Sequence, residues 1–302
     1  MEKRRLGKSD LYVTELGLGC MTLGTDALAA ERIINASLEE GVNYFDTADL
    51  YDFGVNESVV GRALKPVREK IIIATKVGNR WNSNKAGWSW DPSKTYIKEA
   101  VKDSLTRLGT DYIDLYQLHG GTLDDPIDET IEAFEELGSE GIVRYYGISS
   151  IRPNVIREYA SKSNISSVMM QYSILDRRPE EEALSVLREN GISVVARGPL
   201  AKGLLSDVGV NKIMEKGFMD YSEEELGSLL LKLKNHFGDR SLTEVALRYV
   251  LHNPTTASVV AGASTVEQVK NNAKAVRSQA LTEEEVSFIK KVSKANMYGE
   301  HR

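Results

Sequence analysis

Cysteine is almost absent from this chain. Cys20 is the only one in 302 residues, which excludes an internal disulfide and fits a reducing compartment, although exported proteins without disulfides also exist. Long apolar runs are missing as well: no stretch approaches the roughly 18 residues a bilayer-crossing helix needs. The opening MEKRRLGKSD is basic but has no apolar segment behind it. The chain therefore reads as cytoplasmic, with no membrane partner. Nor is there an excess of positive charge. Lys and Arg number 38 against 44 Asp and Glu, and their scatter leaves no electrostatic footprint for nucleic acid. Internal repeats, low-complexity segments and Gly/Pro/Ser linkers are lacking too, so one domain spanning residues 1–302 is the simplest organisation.

What is present is a regular alternation. Short β-branched apolar runs lie at 16–20, 44–47, 70–76, 112–119, 145–149, 167–171, 193–197 and 257–261. Between them come stretches of helical period, such as 27–40, 56–64, 93–108, 127–137, 153–160, 179–190 and 242–251. Asp91 or Ser93 is placed to cap one helix, and Pro179 with three glutamates suits the first turn of another. Near-continuous apolar strands joined by helices imply a parallel sheet covered on both faces. Eight such units predict a closed (β/α)8 TIM barrel, with a doubly wound open sheet as the competing arrangement. The N-terminal RRLGKSDLYVTEL alternates like a hairpin cap over the barrel floor. Residues 200–240 form an insertion containing a helix, and a C-terminal helix starts near Thr282.

In a barrel of this kind, strand ends at the C-terminal face carry chemistry. FDTADLY ends the second strand, Lys76 closes the third and His119 the fourth. A lone lysine is usually a solvated charge and a lone histidine a structural residue. Three consecutive strand ends are harder to explain that way. A phenol of pKa about 10 is a poor acid near neutrality. An adjacent ammonium stabilises its phenolate, and a carboxylate keeps that ammonium charged. Asp46, Lys76 and Tyr51 have these roles, and an imidazole at His119 would orient a carbonyl oxygen and stabilise the charge that develops on it. Such an assembly suits protonation of oxygen while hydride reaches carbon, and hydride requires a nicotinamide.

The segments GVNYFDTADLYDFGVNESVVGRAL (41–64), ATK (74–76), QLH (117–119), GISS (147–150), QYS (171–173) and GASTVEQVKNN (262–272) together resemble the aldo-keto reductases over nearly the whole chain. That resemblance implies an NADPH-dependent barrel reductase of aldehydes and ketones acting on a small-molecule carbonyl substrate. A monomer is expected, with an oligomer left open, and no metal site is expected. Asp46, Tyr51, Lys76 and His119 match the catalytic tetrad, with Tyr51 the acid. Asp49 and Asp52 match no catalytic position. Two other classes compete: an NADPH-holding sensor with little turnover, and an aldolase forming a Schiff base on Lys76, which the neighbouring Asp46 disfavours.

The family also implies a cofactor across the barrel mouth. Ser149 and Gln171 would bond the nicotinamide carboxamide, and Ser150 stands where an Asn is more usual. Gly19 and Met21 match positions whose backbone passes close to the cofactor, while Cys20 reads as a small buried residue. Gly198, Leu200 and Lys202 match a pyrophosphate loop. Strict NADPH users often carry Lys or Arg where this chain has Gly262 and Gln268, which leaves the hydroxyls of Ser264 and Thr265, with Asn271 and Asn272 closing the motif. Arg197 replaces an aromatic residue that commonly stacks on the nicotinamide; a guanidinium can lie there too, or turn aside to a carboxylate or phosphate. All three tryptophans fall in one segment after the third strand, with Trp81 and Trp88 expected to wall the substrate. Pinning a long loop is the competing role.

Overall fold

The structure, a computed structural model, describes residues 1–82, 84, 86–207, 209 and 217–302. Parts of the Trp-rich segment (83 and 85) and of the 200–240 insertion (208 and 210–216) thus lie outside the described residues. The chain begins with an antiparallel hairpin, β1 (Lys3–Arg5) and β2 (Tyr12–Thr14). Its Leu6, Leu11 and Val13 are buried in one cluster with Tyr44, Leu115 and Val195. The hairpin therefore plugs the barrel floor with apolar side chains that would otherwise face water.

The barrel strands are β3 (Leu16–Gly19), β4 (Tyr44–Asp46), β5 (Ile72–Val77), β8 (Ile113–Leu118), β9 (Val143–Ser149), β10 (Ser167–Gln171), β11 (Ser193–Arg197) and β12 (Thr256–Gly262). All neighbours pair in parallel, and β12 on β3 and β10 on β9 close the ring. The open-sheet alternative is thereby excluded. Between β5 and β8 a short antiparallel hairpin, β6 (Asn79–Trp81) with β7 (Trp88–Trp90), stands where the sequence pattern reads as a loop.

Around the barrel run α1 (Ala27–Glu39), α2 (Val55–Leu64), α3 (Lys94–Leu108), α4 (Ile127–Ser139), α5 (Pro153–Lys162), α6 (Ala183–Glu189), α7 (Glu223–Phe237), α8 (Leu242–His252), α9 (Val266–Arg277) and α10 (Glu283–Val292). Ser93 is the cap of α3, accepting from Tyr96 N. Asp91 serves one step further out, its carboxylate accepting from Ser93 N and Oγ. The helix expected over 179–190 is broken. Arg178–Glu180 forms a separate 3-10 turn and α6 starts only at Ala183. Within this turn the Glu180 carboxylate accepts from Tyr172, Tyr249 and Arg177, contacts that tie it to the neighbouring segments.

Helix α2 packs closely on α3 because Gly61 has no side chain: a Cβ there would sit 2.2 Å from the Leu108 carbonyl oxygen. That neighbour is backbone and cannot rotate away. Gly61→Ala should therefore destabilise the fold by about 1–3 kcal/mol, the usual cost of overpacking, despite the better helix propensity of Ala. Urea unfolding would check this, and a stabilised variant would show that the two helices slide apart cheaply.

Candidate active site

The site grows from the end of β4. Asp46 closes this strand, and the chain then turns sharply through 47–54 before entering α2. Two side chains fix that turn: Thr47 Oγ1 donates to Asn56 Oδ1 (2.7 Å), and Asn56 Nδ2 donates to the Cys20 carbonyl (2.9 Å). Directly after Tyr51, Asp52 and Phe53 adopt left-handed backbone with φ of 48° and 53°. Such residues cost about 1–3 kcal/mol each and persist only when their surroundings over-determine them. Glu57 supplies much of that support, accepting from Thr75 Oγ1 (2.5 Å) and Arg107 Nε (2.7 Å) in a fully buried position. Strand β5 and helix α3 thereby both grip the start of α2.

Lys76, completely buried, extends from β5 into the turn. Its Nζ donates to Asp46 Oδ1 (2.6 Å) and to the Thr47 carbonyl (2.7 Å), and lies 3.4 Å from Tyr51 Oη. Burial alone would lower the Lys76 pKa, but Asp46 and the Tyr51 phenol outweigh it and raise the value, so the amine stays charged. Gln117 Nε2 donates to the other Asp46 oxygen at 3.2 Å. Both carboxylate oxygens thus have partners. His119 lies edge-on to the Tyr51 ring, with centroids 5.9 Å apart. Its Nδ1 is buried with no hydrogen-bond partner among the described residues.

Around these four residues opens a cleft of about 1390 Å³ at the C-terminal mouth of the barrel. Of the expected cofactor contacts, Gly19, Met21, Ser149, Ser150, Gln171 and Arg197 line it, and so do Gly198, Leu200 and Lys202. At its far end lie Gly262, Ser264, Thr265, Gln268, Asn271 and Asn272. Arg197 pairs with no carboxylate among the described residues; its Nη1 donates to Gln171 Oε1 at 3.3 Å. Ala201 and Lys202 have φ of 47° and 58°, a second strained turn at the same mouth. The Ser150 hydroxyl is committed to a local turn, accepting from Arg152 N at 3.2 Å.

One expected wall residue is elsewhere. Trp81 does not line the cleft but packs against the Arg107 guanidinium, 5.4 Å from its ring. Its direct cross-strand partner on the β6/β7 hairpin is Trp88. Trp88 and Trp90 do line the cleft. Trp90 is fixed there by an indole hydrogen bond to Asp125 Oδ1 (2.9 Å) and by contact with Gly78, where a Cβ would meet its ring at 2.6 Å.

Gln117 is the contact that sequence reasoning passed over. Its signal was available, because residues two apart on a strand share a face and Gln117 lies two before His119. Arg152 and Phe218 also line the cleft, but they arrive on irregular segments with no sequence periodicity to announce them.

These residues fit a nicotinamide dinucleotide. The cleft is larger than the roughly 300–1,000 Å³ of a typical small-ligand site, and its backbone is bare at Gly19 and Gly198. The closed parallel barrel with its chemistry gathered at one mouth defines a barrel enzyme. The aldo/keto reductase family model matches residues 15–294. An aldo-keto reductase from Bacillus halodurans, AKR11C1 in its holo form, superposes with a TM-score of 0.96 at 60% identity, covering 100% of this chain and 99% of that one. The uncharacterized oxidoreductase YqkF of Bacillus subtilis is 56% identical over the full length of both chains. The NADH-specific methylglyoxal reductase of Escherichia coli is 31% identical, with 98% and 99% of the two chains covered. The chain belongs to the aldo/keto reductase family. It is an oxidoreductase of carbonyl compounds that uses a nicotinamide cofactor.

The site makes His119 a pH reporter. Burial first, then the charges of Lys76 and Arg197, lower its pKa from 6.5 to about 3. In that interval the unfolded chain binds a proton that the folded chain refuses. The stability held by a neutral His119 is therefore complete above pH 6.5 and is lost as pH falls toward about 3. His119→Gln should flatten the pH dependence of the urea midpoint over this acidic range and change it little near neutrality. Parallel curves for the two proteins would show that His119 titrates normally.

Proposed function

We propose that this protein reduces small aldehydes and ketones with NADPH as hydride source and Tyr51 as general acid. One observation carries the reading: a buried ammonium, Lys76 Nζ, lies 2.6 Å from a carboxylate and 3.4 Å from a phenol at the mouth of the cleft. The Asp46 carboxylate holds Lys76 charged, and Lys76 stabilises the phenolate left when Tyr51 gives its proton to the carbonyl oxygen. His119, neutral through its depressed pKa, helps orient that oxygen and stabilise the charge developing on it. Ser149 and Gln171 would hold the nicotinamide carboxamide, and Gly198, Leu200 and Lys202 the pyrophosphate. When bound, the reduced cofactor supplies hydride to the carbonyl carbon. Trp88 and Trp90 offer the apolar wall for the substrate. A Schiff-base role for Lys76 needs a neutral amine, which the ion pair with Asp46 opposes.

Tyr51→Phe keeps the ring and removes the proton. Turnover of a panel of aldehydes, followed by nicotinamide absorbance, should fall by about a hundredfold or more, within the range of general acid catalysis, with NADPH binding nearly unchanged. Lys76→Met should lose most activity with the barrel intact by circular dichroism. Near-normal turnover in a folded Tyr51→Phe protein would overturn the assignment, and cofactor binding without turnover in the wild type would favour a sensing role.

Cofactor choice is decided at the adenosine end, and one relative is named for NADH specificity. Gly262 and Gln268 bring no charge, the Gln268 amide oxygen is occupied by Ser264 N (2.7 Å) and Oγ (3.1 Å), and Glu267 adds a carboxylate to the cleft. A missing charged hydrogen bond is worth about 1.5–3 kcal/mol. NADPH should therefore be preferred over NADH, but by a factor about ten- to a hundredfold below that of relatives with a cation there. At the other end Arg197 opposes the cationic oxidised ring, so Arg197→Tyr should tighten NADP+ over NADPH by about 1 kcal/mol in a partly solvated site. Titrating NADH, NADPH and NADP+ by tryptophan quenching tests both points. Preference for NADH overturns the first, and equal shifts of NADP+ and NADPH overturn the second.

A further inference from the structure

After α10 the chain has ten more residues, 293–302, without helix or strand. Yet Ser293, Asn296 and Tyr298 are all buried. This tail runs over segments that follow three successive barrel strands. In the first turn of α5, after β9, Asn154 N donates to the His301 carbonyl (3.0 Å). On the loop after β10, Arg177 N donates to Asn296 Oδ1 (3.2 Å), Tyr298 N donates to Glu181 Oε2 (3.2 Å), and Arg178 lies 5.0 Å over the Tyr298 ring. On the long segment after β11, Asn296 Nδ2 donates to Asp220 Oδ2 (2.6 Å), and Lys294 reaches Tyr221 Oη through its backbone N–H (2.5 Å) and the Asp220 carbonyl through its Nζ.

The last of these grips has a consequence at the site. Residues 217–221 form a tight turn closed by reciprocal bonds between Phe218 and Tyr221. Gly217 is left-handed, and a Cβ there would meet the Tyr221 carbonyl oxygen at 2.1 Å. Met219 at the tip is left-handed as well, with φ of 51°. A non-glycine residue in that region needs outside support. The turn presents Phe218 to the cleft and sets the Met219 sulfur 3.9 Å from Gln171 Nε2. With Arg197 on its oxygen and Met219 beside its nitrogen, the Gln171 amide is held in one orientation.

We propose that the C-terminal tail is a positioning element of the cofactor site: Lys294 and Asn296 latch the 217–221 turn, and through Met219 they fix the Gln171 amide that receives the nicotinamide. This rests on the carboxamide role given to Gln171 above. Neither tail residue touches the reacting atoms. Their contribution is to order the turn before the cofactor arrives, so that binding need not bear the entropy of ordering it. Loosening the latch should weaken the cofactor and speed its release, while the chemical step at Tyr51 is untouched.

The test compares wild type, Asn296→Ala with Lys294→Ala, and Met219→Ala, the last removing only the final link at an exposed position. NADPH dissociation constants, read by tryptophan quenching, should rise about five- to tenfold in both variants, the worth of one or two ordinary hydrogen bonds. Turnover at saturating NADPH should stay within about twofold of wild type. Repeating both changes in a Gln171→Ala background should give little further loss, because the route to the cofactor is already cut. Unchanged NADPH affinity in the tail and Met219 variants, or full additivity with Gln171→Ala, overturns the latch while leaving the carboxamide role intact. Normal NADPH binding by Gln171→Ala alone overturns that role and the latch together.

Discussion

The buried pair of Lys76 and Asp46 is the constraint around which the rest of the molecule is arranged. A fully buried ammonium is tolerable only with an ionised partner at contact distance and further acceptors for its other protons. Here these are the 2.6 Å carboxylate, the Thr47 carbonyl and the Tyr51 phenol. Each comes from the six residues 46–51 that end β4 and begin the following turn. The position of that turn is thus set by the need to solvate one charge with protein atoms, and Gln117 completes the arrangement by satisfying the second Asp46 oxygen.

A second buried network supports the first. Glu57, Thr75, Ser104 and Arg107 join the start of α2 to β5 and α3, which fixes the far side of the turn carrying Tyr51. Asp49 lies between the two networks, its carboxyl oxygens without a hydrogen-bond partner among the described residues. Burial first, then Glu57 beside it, pushes its pKa above the usual carboxylate range, against the opposing pull of Arg107.

Elsewhere at the mouth, strain and support recur together. Asp52, Phe53, Ala201, Lys202 and Met219 are all left-handed non-glycine residues on segments that follow barrel strands. Each segment is braced from outside, by α3 through Arg107 in one case and by the C-terminal tail in another. Rigid strands supply the aim of the side chains, and irregular segments hold whatever must be shaped to a ligand.

The sequence by itself determined the barrel and which strand ends bring Asp46, Lys76 and His119 to one mouth. Eight apolar runs alternating with helical periods leave few alternatives once each strand must be covered on both faces, and Asp46, Lys76 and His119 were legible because strand ends have a fixed address in such a fold. Local chemistry also marked a cap at Asp91 or Ser93 and a helix start near Thr282, where the structure places the caps at Ser93 and Thr282. Tertiary structure alone decided the rest. Trp81 packs on Arg107 and Trp90 lines the cleft; Glu180 gathers three donors where the expected helix is interrupted; and the tail found its partners up to 147 residues away, as between Asn154 and His301. The division has one physical reason. Periodicity and capping act over a few residues and are written in neighbouring letters, whereas a cross-strand partner or a buried hydrogen bond depends on which distant segments the closed barrel brings together.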